Sequence, residues 1–250
     1  MIEIAKSLFI ESDLPVVYLK EIDAVVMSDV HIGYEQDMAR KGIYIPKVQK
    51  KRFLSIYEKS INTFKVKKII INGDFKHSFE KLTRQENEEL SEIFKRTRDD
   101  GIEVKVVKGN HDNFISLVTE KFDNVELLED MKLNDVVITH GHKNVEKSDG
   151  MTYILGHEHP RLSVRDKIGY VKRFQVFLKV PVKDSSSNII VLPSVGTYQA
   201  GNDVTILHSG YMSPLIRNHG SLENARPYVI IEGEGIMEFP ELKLLRKILI

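Results

Sequence analysis

Seven of the nine histidines fall in five short windows: Asp29–His31, Gly73–His77, Gly109–Asp112, His140–His142 and Gly156–His159. Aspartate, histidine and asparagine side chains, with no cysteine in the chain, suit borderline-hard divalent ions such as Mn, Fe or Zn. The candidates are too numerous for one tetrahedral ion with an open position. Their count fits two ions sharing a carboxylate. Glycines beside them (Gly33, Gly73, Gly109, Gly141, Gly156) allow tight turns and close backbone approach to an anion.

Each window follows a short apolar run, so the elements that position these residues can be read next. The runs Pro15–Leu19, Ala24–Ser28, Lys68–Asn72, Glu103–Val107, Asp135–Thr139 and Tyr153–Leu155 are predicted strands. The windows then lie just past strand C-terminal ends, where α/β sheets gather ligand-binding residues. Phe53, Leu54, Tyr57, Ile61 and Phe64 fall at helical spacing within Lys47–Phe64. Thr83 and Glu86 form a capping-box spacing that opens a helix over Thr83–Arg98, with Gly101 as its stop. Alternating strands and helices predict α/β architecture in the first half. The second half reads as strands at Arg161–Arg165, Arg173–Val180, Asn188–Leu192, Val204–Leu207, Tyr228–Glu232 and Gly235–Phe239, with no clear amphipathic helix among them. The tail Glu241–Ile250 fits helix or strand, and Asp184–Ser187 is a polar turn too short to link domains. Residues 1–250 are therefore read as a single domain.

Composition narrows the classes. The 250 residues are 42% apolar and 29% charged, which excludes wholesale disorder. Lys+Arg and Asp+Glu both number 36, so net charge exerts no global pull toward nucleic acid or a membrane. No apolar run reaches the ~18 residues of a spanning helix, and Met1–Ile10 lacks the shape of a signal peptide. The expected address is the cytoplasm. Abundant Lys, Glu and Ile lean toward a thermophilic source.

The motifs D-x-H (Asp29, His31), G-D-x-x-H (Gly73–His77), G-N-H-D (Gly109–Asp112), H-G-H (His140–His142) and G-H-x-H (Gly156–His159) occur in that order. Together they resemble the calcineurin-like metallophosphoesterase superfamily. The stretch G-D-F-K-H-S-F is most similar to its single-domain phosphoesterases related to the DNA-repair nuclease and DNA ligase-associated branch. That resemblance implies a four-layer α/β/β/α sandwich of two mixed β-sheets with flanking helices. It also implies two divalent ions, Mn first, with Fe, Zn or Ni as alternatives. One would be held by Asp29, His31, Asp74 and His159, the other by Asp74, Asn110, His140 and His157. A hydroxide bridging the two ions would attack phosphorus. His111 would stabilise charge on the phosphoryl or leaving oxygen, with Asp112 orienting it from behind. His77 and His142 are assigned to substrate contact or to support of the ligands.

The implied function is hydrolysis of a phosphodiester, in nucleic acid or a nucleotide, with a DNA-repair protein as a conceivable partner. The rivals are a small-molecule phosphomonoesterase and a non-catalytic scaffold of the same fold, as in a retromer subunit. Arg161 follows the last window directly, in a cluster with Arg165, Lys167, Lys172 and Arg173, and is placed near the metals, where phosphate contact and solvation of a strand edge fit equally. Lys47, Lys50, Lys51 and Arg52 are read as a solvated helix face, and His208 and His219 as ordinary structural or surface residues. Pro193–Gly196 and Asn202–Asp203 are read as plain turns, and Tyr198 as a core residue. The oligomeric state is left open.

Overall fold

The apolar runs become two stacked sheets in the computed structural model, which describes residues 1–165 and 168–245. The first sheet follows chain order through β1 (Ile2–Ala5), β2 (Leu8–Ile10), β3 (Val17–Leu19), β4 (Ala24–Met27), β5 (Lys68–Asn72), β6 (Glu103–Val107) and β7 (Val125–Leu128). From β1 to β4 the pairing is antiparallel and joined by short connections; from β4 to β7 it is parallel. Parallel neighbours need crossovers. These are made by α1 (Tyr34–Arg40) with α2 (Gln49–Phe64), by α3 (Arg84–Asp99) and by α4 (Ser116–Thr119).

The second sheet comprises β8 (Met131–Leu133), β9 (Val136–Ile138), β10 (Thr152–Leu155), β12 (Val171–Pro181), β13 (Asn188–Val191), β14 (Arg226–Ile231) and β15 (Gly235–Glu238), with β11 (Arg161–Arg165) paired to β12. Its spatial order is β15-β14-β12-β13-β10-β9-β8, and only β9, β10 and β13 run parallel. Both sheets are mixed.

Side-chain alternation sorts the core into three seams. Val25, Met27, Ile69 and Ile71 point outward onto Phe53, Tyr57 and Phe94 of α2 and α3. Val26 and Ile70 point inward, against Ile138, Ile154, Phe177 and Ile190 of the second sheet. Leu155, Val176 and Leu178 face out again, under α5 (Pro214–His219) and α6 (Leu242–Leu245). The result is helix, sheet, sheet, helix.

Several expectations are corrected. Val204–Leu207 is not a strand: a single bridge joins Asp203 to Arg161, and the chain then turns away. The buried Tyr211 hydroxyl takes the place of a partner strand, accepting from Thr205 N at 3.2 Å and donating to Thr205 O at 2.8 Å. The second half does carry a short helix, α5, entered through Pro214. Tyr198 is not in the core. It stacks on Tyr34 at 5.4 Å between ring centroids, and its hydroxyl donates to Pro46 O at 2.6 Å. The tail begins as helix at Leu242–Leu245, while 246–250 and Lys167 lie outside the described residues.

Candidate metal centre

All five windows open onto one rim, at the C-terminal ends of β4, β5, β6, β9 and β10. Backbone hydrogen bonds stitch neighbouring windows together: Asp29 N donates to Gly73 O at 3.1 Å and His31 N to Asp74 O at 2.9 Å. Buried Asn72, the last residue of β5, ties the first sheet to the second. Its Nδ2 donates to Thr139 O at 3.0 Å and Ile154 O at 3.1 Å.

The turns at the rim are sharp. Asp29, His31, Asp74, His157 and His159 all have φ between 45° and 68°, in the left-handed region. Each non-glycine residue held there costs about 1–3 kcal/mol, and such outliers cluster at functional sites. Two glycines make room for the rest. A Cβ on Gly73 would sit 2.1 Å from His140 Nδ1, and one on Gly109 would sit 2.1 Å from Asp74 Oδ1.

Two groups of side chains result. Ligand atoms of Asp29, His31 and His159 lie within 4.8 Å of one another, as do those of Asp74, His140 and His157. The groups share a wall, because His140 Nε2 is 3.4 Å from Asp74 Oδ2 and 3.9 Å from Asp29 Oδ1. His31 Nε2 likewise lies 3.8 Å from Asp74 Oδ2. The remaining ring atom of His140 is spoken for: Nδ1–H donates to Asn72 O at 3.0 Å, so Nε2 faces the site. Among the described residues, buried His31 Nε2, His140 Nε2 and Asn110 Oδ1 have no hydrogen-bond partner, and His159 Nε2 faces Asp29 Oδ1 at 3.0 Å. Orphaned buried acceptors of this kind, lining one space with two carboxylates, fit divalent cations.

The electrostatics agree. Burial disfavours charge on His140, yet Asp74 and Asp29 outweigh it and raise its pKa to about 9. Burial and the neighbouring His140 lower His157 to about 4. Burial also opposes ionisation of Asp74, but the surrounding imidazoles, His140 first, hold its carboxyl below the usual range. The carboxylate pair thus draws positive charge into the space between them.

A third group, His31, His77 and His111, is built differently. His77 Nδ1 lies 3.2 Å from His31 Nδ1, and the His77 ring stacks on His111 with centroids 5.4 Å apart. His111 Nδ1 donates to His77 O at 2.5 Å, and His111 N donates to Asp74 Oδ1 at 2.9 Å. These rings lean on one another, leaving His111 Nε2 turned toward Asp74 at 4.0 Å. His142 stands at the rim, 5.3 Å from His140 between centroids.

Asp112 is a correction. Its carboxylate is buried and accepts from Gly109 N at 2.8 Å and Lys76 N at 3.1 Å, so the partner of the His111 ring is the His77 carbonyl instead. Burial, with Asp74 nearby, raises the Asp112 pKa to about 6. The loops taken for plain turns also serve the rim. Ser194 Oγ donates to Asp29 O at 2.9 Å, and Asn202 Nδ2 donates to Glu158 Oε2 at 3.4 Å. The basic face of α2 divides: Lys50 pairs with Glu92, whereas Arg52 Nε donates to Val195 O at 2.8 Å. Arg161 lies two residues beyond His159 and donates from Nη2 to Gln199 O at 3.3 Å.

Sequence reading missed three supports. Glu86 completes the capping box, and its Oε1 also accepts from His77 N at 3.0 Å and Ser78 N at 2.6 Å. Buried Lys76 donates Nζ to the Ser78 and Lys81 carbonyls of that loop. Glu158, between two histidines, accepts from Ser213 N at 2.6 Å and Met212 N at 2.9 Å. The capping box was the one legible signal among them, and it marked a helix start rather than the His77 loop.

Fold and site together define a metallophosphoesterase-type architecture. The profile of the calcineurin-like phosphoesterase family matches residues 23–210, and the chain belongs to that family as a hydrolytic phosphoesterase. Among solved structures it is similar to the nuclease MPE of Pseudomonas putida, with TM-score 0.61 and 19% identity over 90% of this chain and 93% of that one. It also matches Yfce, a phosphoesterase from E. coli, with TM-score 0.39 and 16% identity over 72% of this chain and 83% of that one. No curated protein matches significantly. Among the described residues, no helix is long and apolar enough to cross a membrane.

Proposed function

We propose that this chain is a dinuclear metal-dependent phosphodiesterase acting on nucleic acid or nucleotide substrates, with residues 1–250 working as one cytoplasmic domain. The carrying observation is the pair of adjoining groups, Asp29–His31–His159 and Asp74–His140–His157, each with its ligand atoms within 4.8 Å of one another. Asp74 lies where both groups can use it, and Asn110 Oδ1 faces no protein partner. The oxygen and nitrogen donors, without thiolate, suit ions such as Mn, Fe or Zn, and Mn is put first on the family resemblance. Two such ions, when bound, supply Lewis acidity to the phosphoryl group and ease ionisation of water.

The chain's own residues do the rest. His111 presents Nε2 to the substrate and, when protonated, donates to the departing oxygen. The His77 carbonyl fixes the His111 ring, and the His77 ring stacks along it. His142, 5.3 Å from the His140 ring, borders the space that the phosphoester enters. The similarity to a Pseudomonas putida nuclease supports a diester over a monoester.

The test is turnover of bis-p-nitrophenyl phosphate by chelator-stripped protein, with Mn, Ni, Zn or Mg restored separately. Turnover should require metal and fall by at least about 10³-fold in Asp74→Asn. Turnover that survives either the chelator or the substitution would overturn the reading.

A further inference from the structure

A second feature borders this centre. A groove of about 750 Å³ runs between α2 and the β11–β12 pair, and its lining includes Arg52, Arg161 and Arg173. Three guanidiniums from three separate elements converge there. Arg173 is the one with an acidic partner, Asp203, at 3.3 Å. Among the described residues, Arg52 and Arg161 form no ion pair; both are partly buried and are held by neutral groups alone. Arg52 uses Nε on Val195 O at 2.8 Å and Nη2 on Gln175 Oε1 at 3.4 Å. Arg161 uses one of its five donors, on Gln199 O. Withdrawing cations from water beside like charge is unfavourable unless an anion arrives to complete them. The unspent forks match phosphate oxygens in charge and geometry.

The groove and the metal centre are two sides of one loop. Val195, whose carbonyl holds Arg52, donates its N–H to Ser28 O at 3.0 Å, and Gly196 N donates to Asp29 O at 3.0 Å. Gln199, whose carbonyl holds Arg161, reaches Gln49 at the start of α2. The groove is also polar along its length. Its far end, near Lys59 and Leu14, carries Asp13, Glu232 and Glu234. That end is therefore the less favourable one for an anion, and the arginine end, where Asp203 is the nearby carboxylate, the more favourable.

We propose that Arg52, Arg161 and Arg173 bind a non-scissile backbone phosphate of a polynucleotide, so that the substrate is a strand extending past the cleaved linkage. The inference rests on the phosphodiesterase reading and narrows its substrate class. A single nucleotide or small phosphomonoester would leave the groove unused.

Binding can be read without cleavage. Chelator-stripped protein is titrated with fluorescently labelled single-stranded 12-mers of DNA and, separately, RNA, at several salt concentrations. Arg173→Ala and Arg52→Gln, the latter retaining a donor for Val195 O, should each weaken binding about tenfold and flatten the log–log salt slope by about 0.7. Lys20→Ala, on a remote exposed lysine, serves as the charge control and should bind as wild type does. Melting temperatures check that each variant is folded. Binding of only the DNA or only the RNA identifies the backbone and supports the groove. No binding by the wild type, or equal affinity and slope in the arginine variants, overturns it. Because bis-p-nitrophenyl phosphate lacks a second phosphate, metal-dependent turnover of it with an indifferent groove refutes this inference alone. Groove-dependent binding without turnover refutes the reaction alone.

Discussion

The two sheets contribute unequally to the rim. Loops of the first sheet bring both carboxylates, Asp29 and Asp74, together with Asn110 and the rings of His31, His77 and His111. Loops of the second sheet bring imidazoles only: His140, His142, His157 and His159. Each mixed group of ligand atoms draws its carboxylate from one sheet and at least one ring from the other. The all-imidazole group, wholly from the first sheet, holds itself together by ring contacts and a carbonyl. The candidate cation site is thus built by the stacked pair, while the all-imidazole group belongs to the first sheet. The coupling runs through groups such as Asn72, which spans the seam.

Separating those two properties is the sharpest way to break the comparison. His111→Ala removes a ring of the first-sheet group and should lower kcat about 10²–10³-fold. Metal content by elemental analysis and the melting temperature should stay at wild-type values. Loss of bound metal in that variant would show that positioning and cation binding are not separable.

The next effect is on the seam. Asn72→Leu leaves the Thr139 and Ile154 carbonyls without their donor and should cost about 1–3 kcal/mol in urea denaturation. Because His140 Nδ1 donates to the Asn72 backbone carbonyl, the ring should keep its orientation. Metal affinity should therefore fall less than stability. The reverse order would mean that the sheets stack independently of this tie.

The smallest effect belongs to the support of the His77 loop. Glu86→Gln keeps the shape of the capping box but weakens charge-assisted bonds to the Thr83, His77 and Ser78 amides. We expect a loss of about 1 kcal/mol in thermal or urea unfolding. Turnover should drop severalfold through His77, with unchanged metal content. An unchanged stability would place the hold on this loop with Lys76 alone.

Much of this was legible in the sequence because it is local. Strands β5 and β6 match their expected bounds, and β4, β10, α2 and α3 fall within two residues of theirs, since apolar runs and helical spacing are written residue by residue. The short elements β2, β8 and α4 did not stand out, each offering only three or four residues of pattern. Val204–Leu207 has a strand's composition, and Tyr211, seven residues past its start, decides otherwise.

The same division holds for the site. Residue types and order by themselves marked five windows, with Asp29, His31, Asp74, His77, Asn110, His111, His140, His142, His157 and His159 among them, because side chains that bind such cations are few and sat together behind apolar runs; the family resemblance then sorted them into roles. Only the tertiary structure decided which atoms face the common space, what holds the His111 ring, and that Arg52 meets Arg161 and Arg173. Those outcomes depend on contacts between distant positions, from 34 residues apart for His111 and His77 to 143 for Arg52 and Val195. Periodicity reports how a segment buries its own face; it carries no record of which distant segment will cover it.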